Sequence, residues 1–105
     1  MVHQVALYKL QPDLPEGTLD EMIRRTRSLL LRIPEVLAVR CGKRIEPETE
    51  WAFFVALDFD SRARLEMYRD DPLYLKFLLE VVEPYTSDSI LADYEMEPGK
   101  NVKYS

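Results

Sequence analysis

The sequence is poor in the residues from which many small sites are built. It holds one histidine, His3, and one cysteine, Cys41. A single cysteine excludes a disulfide within the chain, and with it the disulfide-stapled class of small domain. A single histidine excludes an intrachain histidine pair, whether as metal ligands or as an acid–base couple. Basic residues are outnumbered, 14 Lys and Arg against 19 Asp and Glu, for a formal net charge of −5. That balance supplies no general basic field for nucleic acid or an anionic membrane surface. No apolar run approaches the ~20 residues of a membrane-spanning helix. Glycine-rich phosphate loops, zinc-ligand spacings, nucleophile elbows, repeats and low-complexity tracts are all missing. The first residues pass directly into strand-like sequence, with no basic stretch followed by an apolar one. These absences set the expectation of a soluble cytoplasmic protein with no metal, no cofactor, no membrane and no nucleic-acid partner.

What is present centres on Trp51-Ala52-Phe53-Phe54-Val55-Ala56-Leu57-Asp58-Phe59. Side chains alternate along a strand, so Trp51, Phe53, Val55, Leu57 and Phe59 share one face, and Ala52, Phe54 and Ala56 the other. Both sets are apolar, so both faces require a cover. Helices of this chain can supply one cover. The other points to a second subunit.

The 105 residues suit one domain, residues 1–96, followed by a polar tail, 97–105. Val2 to Leu10 reads as a first strand, with Gln4, Ala6 and Tyr8 on the helix side and His3, Val5, Leu7 and Lys9 opposite. Thr18-x-x-Glu21 has the form of a capping box, opening a helix that Pro34 ends. Val36 to Lys43 reads as a second strand. Asp60 or Ser61 caps a helix over Arg62 to Arg69. Asp71 and Pro72 open a third helix, with Leu75, Leu78, Leu79 and Val82 as its buried stripe and Tyr74 and Phe77 beside it. Ser89 to Met96 reads as the last strand. The order strand, helix, strand, strand, helices, strand is the split βαβ pattern of a ferredoxin-like α+β domain. It predicts an antiparallel four-stranded sheet of order 4-1-3-2 with helices on one face. Val5, Leu7, Phe54 and Ala56 then lie on the bare face, and two such faces packed together give a homodimer.

Several pieces of sequence resemble the stress-responsive dimeric α/β-barrel (Dabb) family. They are Val5-Ala6-Leu7-Tyr8-Lys9, Ile33-Pro34-Glu35-Val36, Val39-x-Cys41-Gly42, Tyr68-x-x-Asp71-Pro72-x-Tyr74-x-x-Phe77 and Leu91-Ala92-Asp93-Tyr94. The resemblance implies a dimeric barrel, and a family that includes polyketide cyclases as well as proteins without a known role. In a plant cyclase of that family two histidines form the acid–base pair. Carried over by spacing, they fall on Gln4 and Tyr74, neither of which is histidine. A tyrosine that lines that cyclase's pocket falls on Tyr68.

Gln4, Tyr8, Tyr68 and Tyr74, walled by Phe53, Val55 and Phe77, are therefore the candidate ligand contacts. An apolar hollow with a few polar tips is what a small hydrophobic, oxygenated molecule requires. The same side chains can equally fill the space themselves. His3 suits either a general base or an interface residue. Cys41 reads as a strand residue turned inward. Arg24, Arg25, Arg27 and Arg32 read as a solvated helix face. Three functions stay open: a ligand-binding dimer, a cyclase- or isomerase-type enzyme on a phenolic substrate, and a non-catalytic stress-related dimer with a filled pocket.

Overall fold

A computed structural model of the chain describes residues 1–97. The elements are β1 (Val2–Leu10), α1 (Thr18–Leu30), β2 (Ala38–Lys43), β3 (Trp51–Phe59), α2 (Arg62–Arg69), α3 (Pro72–Phe77), a π-helical turn (Leu78–Val82) and β4 (Thr86–Glu95). They form one antiparallel sheet of order β2-β3-β1-β4. This is the predicted order read from the opposite edge. The tail from residue 98 lies outside the described residues.

Alternation along the strands decides the layers. Val2, Gln4, Ala6 and Tyr8 are buried beneath the helices, while His3, Val5 and Leu7 between them are only partly covered. On β3, Phe53, Val55, Leu57 and Phe59 are buried on the helix side. They meet Met22, Leu29 and Leu30 of α1, Leu65 and Tyr68 of α2, and Phe77 and Val81 further on. Each such side chain contributes ~1.5–3 kcal/mol of burial, as an upper bound.

The strand alternation fails at one end of β3. Tyr8 pairs with Phe53 but Lys9 pairs with Trp51, which leaves Ala52 as the extra residue of a bulge. Trp51 therefore leaves the Phe53–Phe59 row expected of it and joins Lys9, whose Nζ stands 4.9 Å from the indole centroid.

Local signals explain the helix ends, with corrections. Gly17 caps α1 at φ 89°, a left-handed conformation that suits glycine. Thr18 is already inside the helix, and its hydroxyl donates to Pro15 O at 2.7 Å. The expected capping box is thus not formed, because glycine takes the cap position one residue earlier. Ser61 caps α2, its Oγ accepting from Arg64 N at 3.3 Å. Asp71 caps α3, its Oδ1 accepting from Leu73 N at 2.8 Å, with Pro72 in the first turn.

The stripe expected on the third helix holds in part: Leu78 and Val82 pack partly buried against the core, but Leu75 and Leu79 do not. Glu83 N donates to Leu78 O at 2.8 Å, a five-residue step that widens the helix by one residue. The inward positions become Phe77 and Val81, while Leu75 and Leu79 face outward. Smaller shifts concern strand ends: β2 begins at Ala38, since Val36 belongs to the turn after α1, and β4 begins at Thr86.

Candidate functional site

The helices do not cover the sheet evenly. β4 is an edge strand, and Leu91 and Asp93, on its helix side, remain exposed. A cleft therefore runs between β4 and α2, with Tyr74 of α3 near its Arg69 and Asp93. Gln4 reaches it from β1, where it pairs with Asp93 in the β1–β4 register. Gln4 is only 5% exposed, and its Nε2 donates to Asp93 Oδ1 at 3.1 Å. The second carboxylate oxygen, Oδ2, accepts from Arg69 at 2.5 Å. Arg69 is placed by α2: Leu65 and Tyr68 turn inward, so the residue after Tyr68 emerges at the rim.

Tyr74 completes the group. The Asp71 cap and Pro72 set the start of α3, and Tyr74 falls one turn along it. Its ring centroid lies 4.4 Å from that of Tyr68, and 6.4 Å from that of Phe77. Tyr68 in turn packs on Phe59 at 5.0 Å, and Tyr8 on Phe53 at 5.7 Å. Tyr8, Phe53, Val55, Tyr68 and Phe77 are all core residues. Their side chains occupy the space directly between sheet and helices.

The phenols form an electrostatic group. Burial, then neighbouring Tyr74, Tyr8, Asp71 and Asp93, hold the Tyr68 hydroxyl far above its ordinary value. Burial and then Tyr74 do the same to Tyr8. Tyr74 is raised by burial and by Asp93, against the lowering effect of Arg69. All three are hydrogen-bond donors at neutral pH and not bases. A hollow of about 260 Å³ lies beside the group, bounded by Val2, Leu65, Arg69, Asp93 and Tyr94 with flanking charged residues of α2 and β4. Another, of about 270 Å³, opens between α1 and the π-helical turn, lined by Met22, Arg25, Val81 and Tyr85 among others.

Of the residues singled out from sequence, Gln4, Tyr68 and Tyr74 are thus in one neighbourhood, with Tyr8 behind them. Phe53, Val55 and Phe77 pack as their inner wall. Asp93 and Arg69 did not emerge as site residues from sequence. Asp93 stood within a family-like motif and Arg69 beside Tyr68, but only strand pairing brings them to Gln4. Cys41 is half-buried, its Sγ 3.8 Å from Ile23 O. Among the helix-face arginines, Arg24 pairs with Glu21 and Arg25 with Glu80. Among the described residues, no group of three or more His, Cys, Asp and Glu is arranged to hold a metal. No helix among them is long and apolar enough to cross a membrane.

A solved Dabb-family protein with a ferredoxin-like fold from Mesorhizobium loti is 17% identical, covering 91% of this chain and 96% of its own, with a TM-score of 0.79. A dimeric ferredoxin-like protein of unknown function from Thermobifida fusca is 19% identical, covering 90% of each chain, with a TM-score of 0.80. The hydroxynitrile lyase of Passiflora edulis is 18% identical, covering 92% of this chain and 94% of its own, with a TM-score of 0.79. At such identities the likeness speaks to fold alone. None of the curated proteins compared with the chain matches it. The family model for the stress responsive A/B barrel domain matches residues 2–96, β1 through β4 in full, and the chain belongs to that family.

Proposed function

We propose that the protein is a homodimer that binds a small, hydrophobic, oxygenated molecule in the cleft between β4 and α2. The observation that carries this reading is the convergence of Gln4, Asp93 and Arg69 beside Tyr74. The cleft offers a donor phenol nearby, an acceptor carboxylate and a guanidinium, with Val2, Leu65 and Tyr94 as its apolar contacts among charged residues, a mixture that suits a phenolic or carboxylated ligand. The ring-filled interior behind it argues for a shallow ligand, seated against Tyr74 and not beneath Tyr8.

The dimer part rests on the open sheet face. Val5, Leu7, Phe54 and Ala56 are joined there by Ile90 and Ala92 across the β1–β4 register. Phe54 is 38% exposed in the single chain, an apolar side chain in mid-sheet that a second copy would cover. Dimeric relatives of the same fold support the reading.

The test is a thermal-shift panel of aromatic polyketides and small phenolic acids. A ligand at a hundred times its Kd raises stability by about 2.7 kcal/mol. A shift that Tyr74→Phe and Asp93→Asn diminish supports the cleft. No shift across the panel leaves the non-catalytic dimer with a filled pocket.

A second reading, an isomerase- or cyclase-type enzyme, is favoured by one pair. Asp93 is a carboxylate near a phenol held protonated, Tyr74, so base and acid are both present. Deuterium exchange into a bound ligand at an acidic C–H, lost in Asp93→Asn, would separate catalysis from binding.

A further inference from the structure

Lys9 stands where the sheet is irregular on both sides. Against β3 the register slips between Tyr8 and Lys9, with Ala52 as the extra residue. Against β4 it slips between Lys9 and Leu10, with Ser87 as the extra residue. A bulge bends its strand and re-aims side chains, and bulges recur beside functional sites. At this end of the sheet lies a hollow of about 400 Å³, lined by Lys9, Leu10, Leu14, Arg44, Glu50 and Ser87 among others.

The lining is locally basic in a chain of net charge −5: two cations, Lys9 and Arg44, face one carboxylate, Glu50. Asp88 pairs with Lys9 across the strands but is outside the lining, and its Oδ1 accepts from Ser89 N at 2.8 Å. Both cations are held in place. The Lys9 ammonium stands 4.9 Å from the Trp51 ring centroid, and its side chain is only 29% exposed. Arg44 donates from Nη1 to Thr49 O at 2.9 Å, and no other described residue accepts from its guanidinium.

Glu50 shows what this arrangement takes. Its carboxylate lies 3.2 Å from Lys9 Nζ and is 78% exposed. A pair that exposed contributes at most about 1 kcal/mol, so Glu50 returns to water at little cost. A carboxylate that reaches both cations gains a charge-assisted hydrogen bond to each. Leu10 and Leu14, both half-buried, offer apolar surface beside them.

We propose that Lys9 and Arg44 form a binding site for a small organic carboxylate, whose oxygens displace Glu50 and whose apolar body rests on Leu10 and Leu14. The site uses none of Val5, Leu7, Phe54 and Ala56, which a second copy covers. It shares no lining residue with the cleft beside α2, and stands independently of it.

The test titrates the full chain with sodium hexanoate at constant ionic strength. Trp51 is the single tryptophan, so its emission reports on Lys9, and calorimetry gives the Kd where emission stays constant. Saturable binding is expected for hexanoate, and not for 1-hexanol or inorganic phosphate. Arg44→Gln, at an exposed position, should weaken hexanoate at least about tenfold. Glu50→Gln removes the competing carboxylate and should tighten it by about twofold to fivefold. No binding by either readout, 1-hexanol or phosphate binding as well as hexanoate, an Arg44→Gln chain that binds unchanged, or a Glu50→Gln chain that binds more weakly each overturns the proposal.

Discussion

Gln4 and Asp93, 89 residues apart, are joined by a hydrogen bond of 3.1 Å on the helix side of the sheet. The bond ties the first strand to the last and orients the carboxylate that Arg69 also holds. It makes the cleft a built network, and it can be dissected.

Asp93→Ala should leave the buried Gln4 amide unpaired and free Arg69. The expected cost is about 1–3 kcal/mol in urea unfolding. Gln4→Leu should cost less, because it removes the polar group as well as the bond. A double-mutant cycle that shows no coupling between the two positions would dissolve the network.

Only some apolar positions of the π-helical turn matter. Val81 is 1% exposed and Leu79 is 64% exposed. Val81→Ala is expected to destabilise by about 2 kcal/mol. Leu79→Ala should change stability by no more than about 0.5 kcal/mol. The reverse ranking would mean that Leu79, and not Val81, faces the core.

The buried phenols predict the alkaline limit of the fold. Tyr8, Tyr68 and Tyr74 all have folded values raised above the unfolded value of 10.0. Below that value both states are protonated, and the contribution to stability is fully present. Above it the unfolded state loses protons first, so stability falls as pH rises. For each of Tyr8 and Tyr68 the slope approaches about 1.4 kcal/mol per pH unit. Tyrosinate absorbance should rise together with loss of near-ultraviolet dichroism. Full tyrosine ionisation in a still-folded protein would contradict the packing.

Association should depend on the bare sheet face. Phe54→Asp places a charge among Leu7, Ile90 and Val5, and should weaken dimerisation at least about 100-fold in sedimentation equilibrium. A stable single-chain species of the unaltered protein at micromolar concentration would remove the dimer altogether.

Much of the fold was legible because strand periodicity is short and strong. Trp51–Phe59 is apolar at alternate positions on both sides, and it became the interior strand β3 with the predicted bounds. Asp71-Pro72 announced α3, since cap and proline act within a few residues. The Thr18 box misled because Gly17, next to it, takes a backbone conformation that threonine resists. Leu75 and Leu79 misled because apolar type alone does not say which side of a short helix is turned inward, and here Phe77 and Val81, one turn apart, take the core side.

The site divides in the same way. Gln4, Tyr68 and Tyr74 could be nominated one by one, from a strand face, a helix face and a capped helix start. Their bonding to Asp93 and Arg69 could not, because the register of β4 on β1 joins residues near the two ends of the described chain. His3 was visible as the lone histidine, but Asp58 and Arg40 reach it only through the pairing of three strands. The amino-acid order by itself determined the elements, the two apolar sheet faces and the family, since these rest on interactions between near neighbours. Tertiary structure alone decided which polar groups meet, because that depends on strand register, which packing across the whole sheet sets.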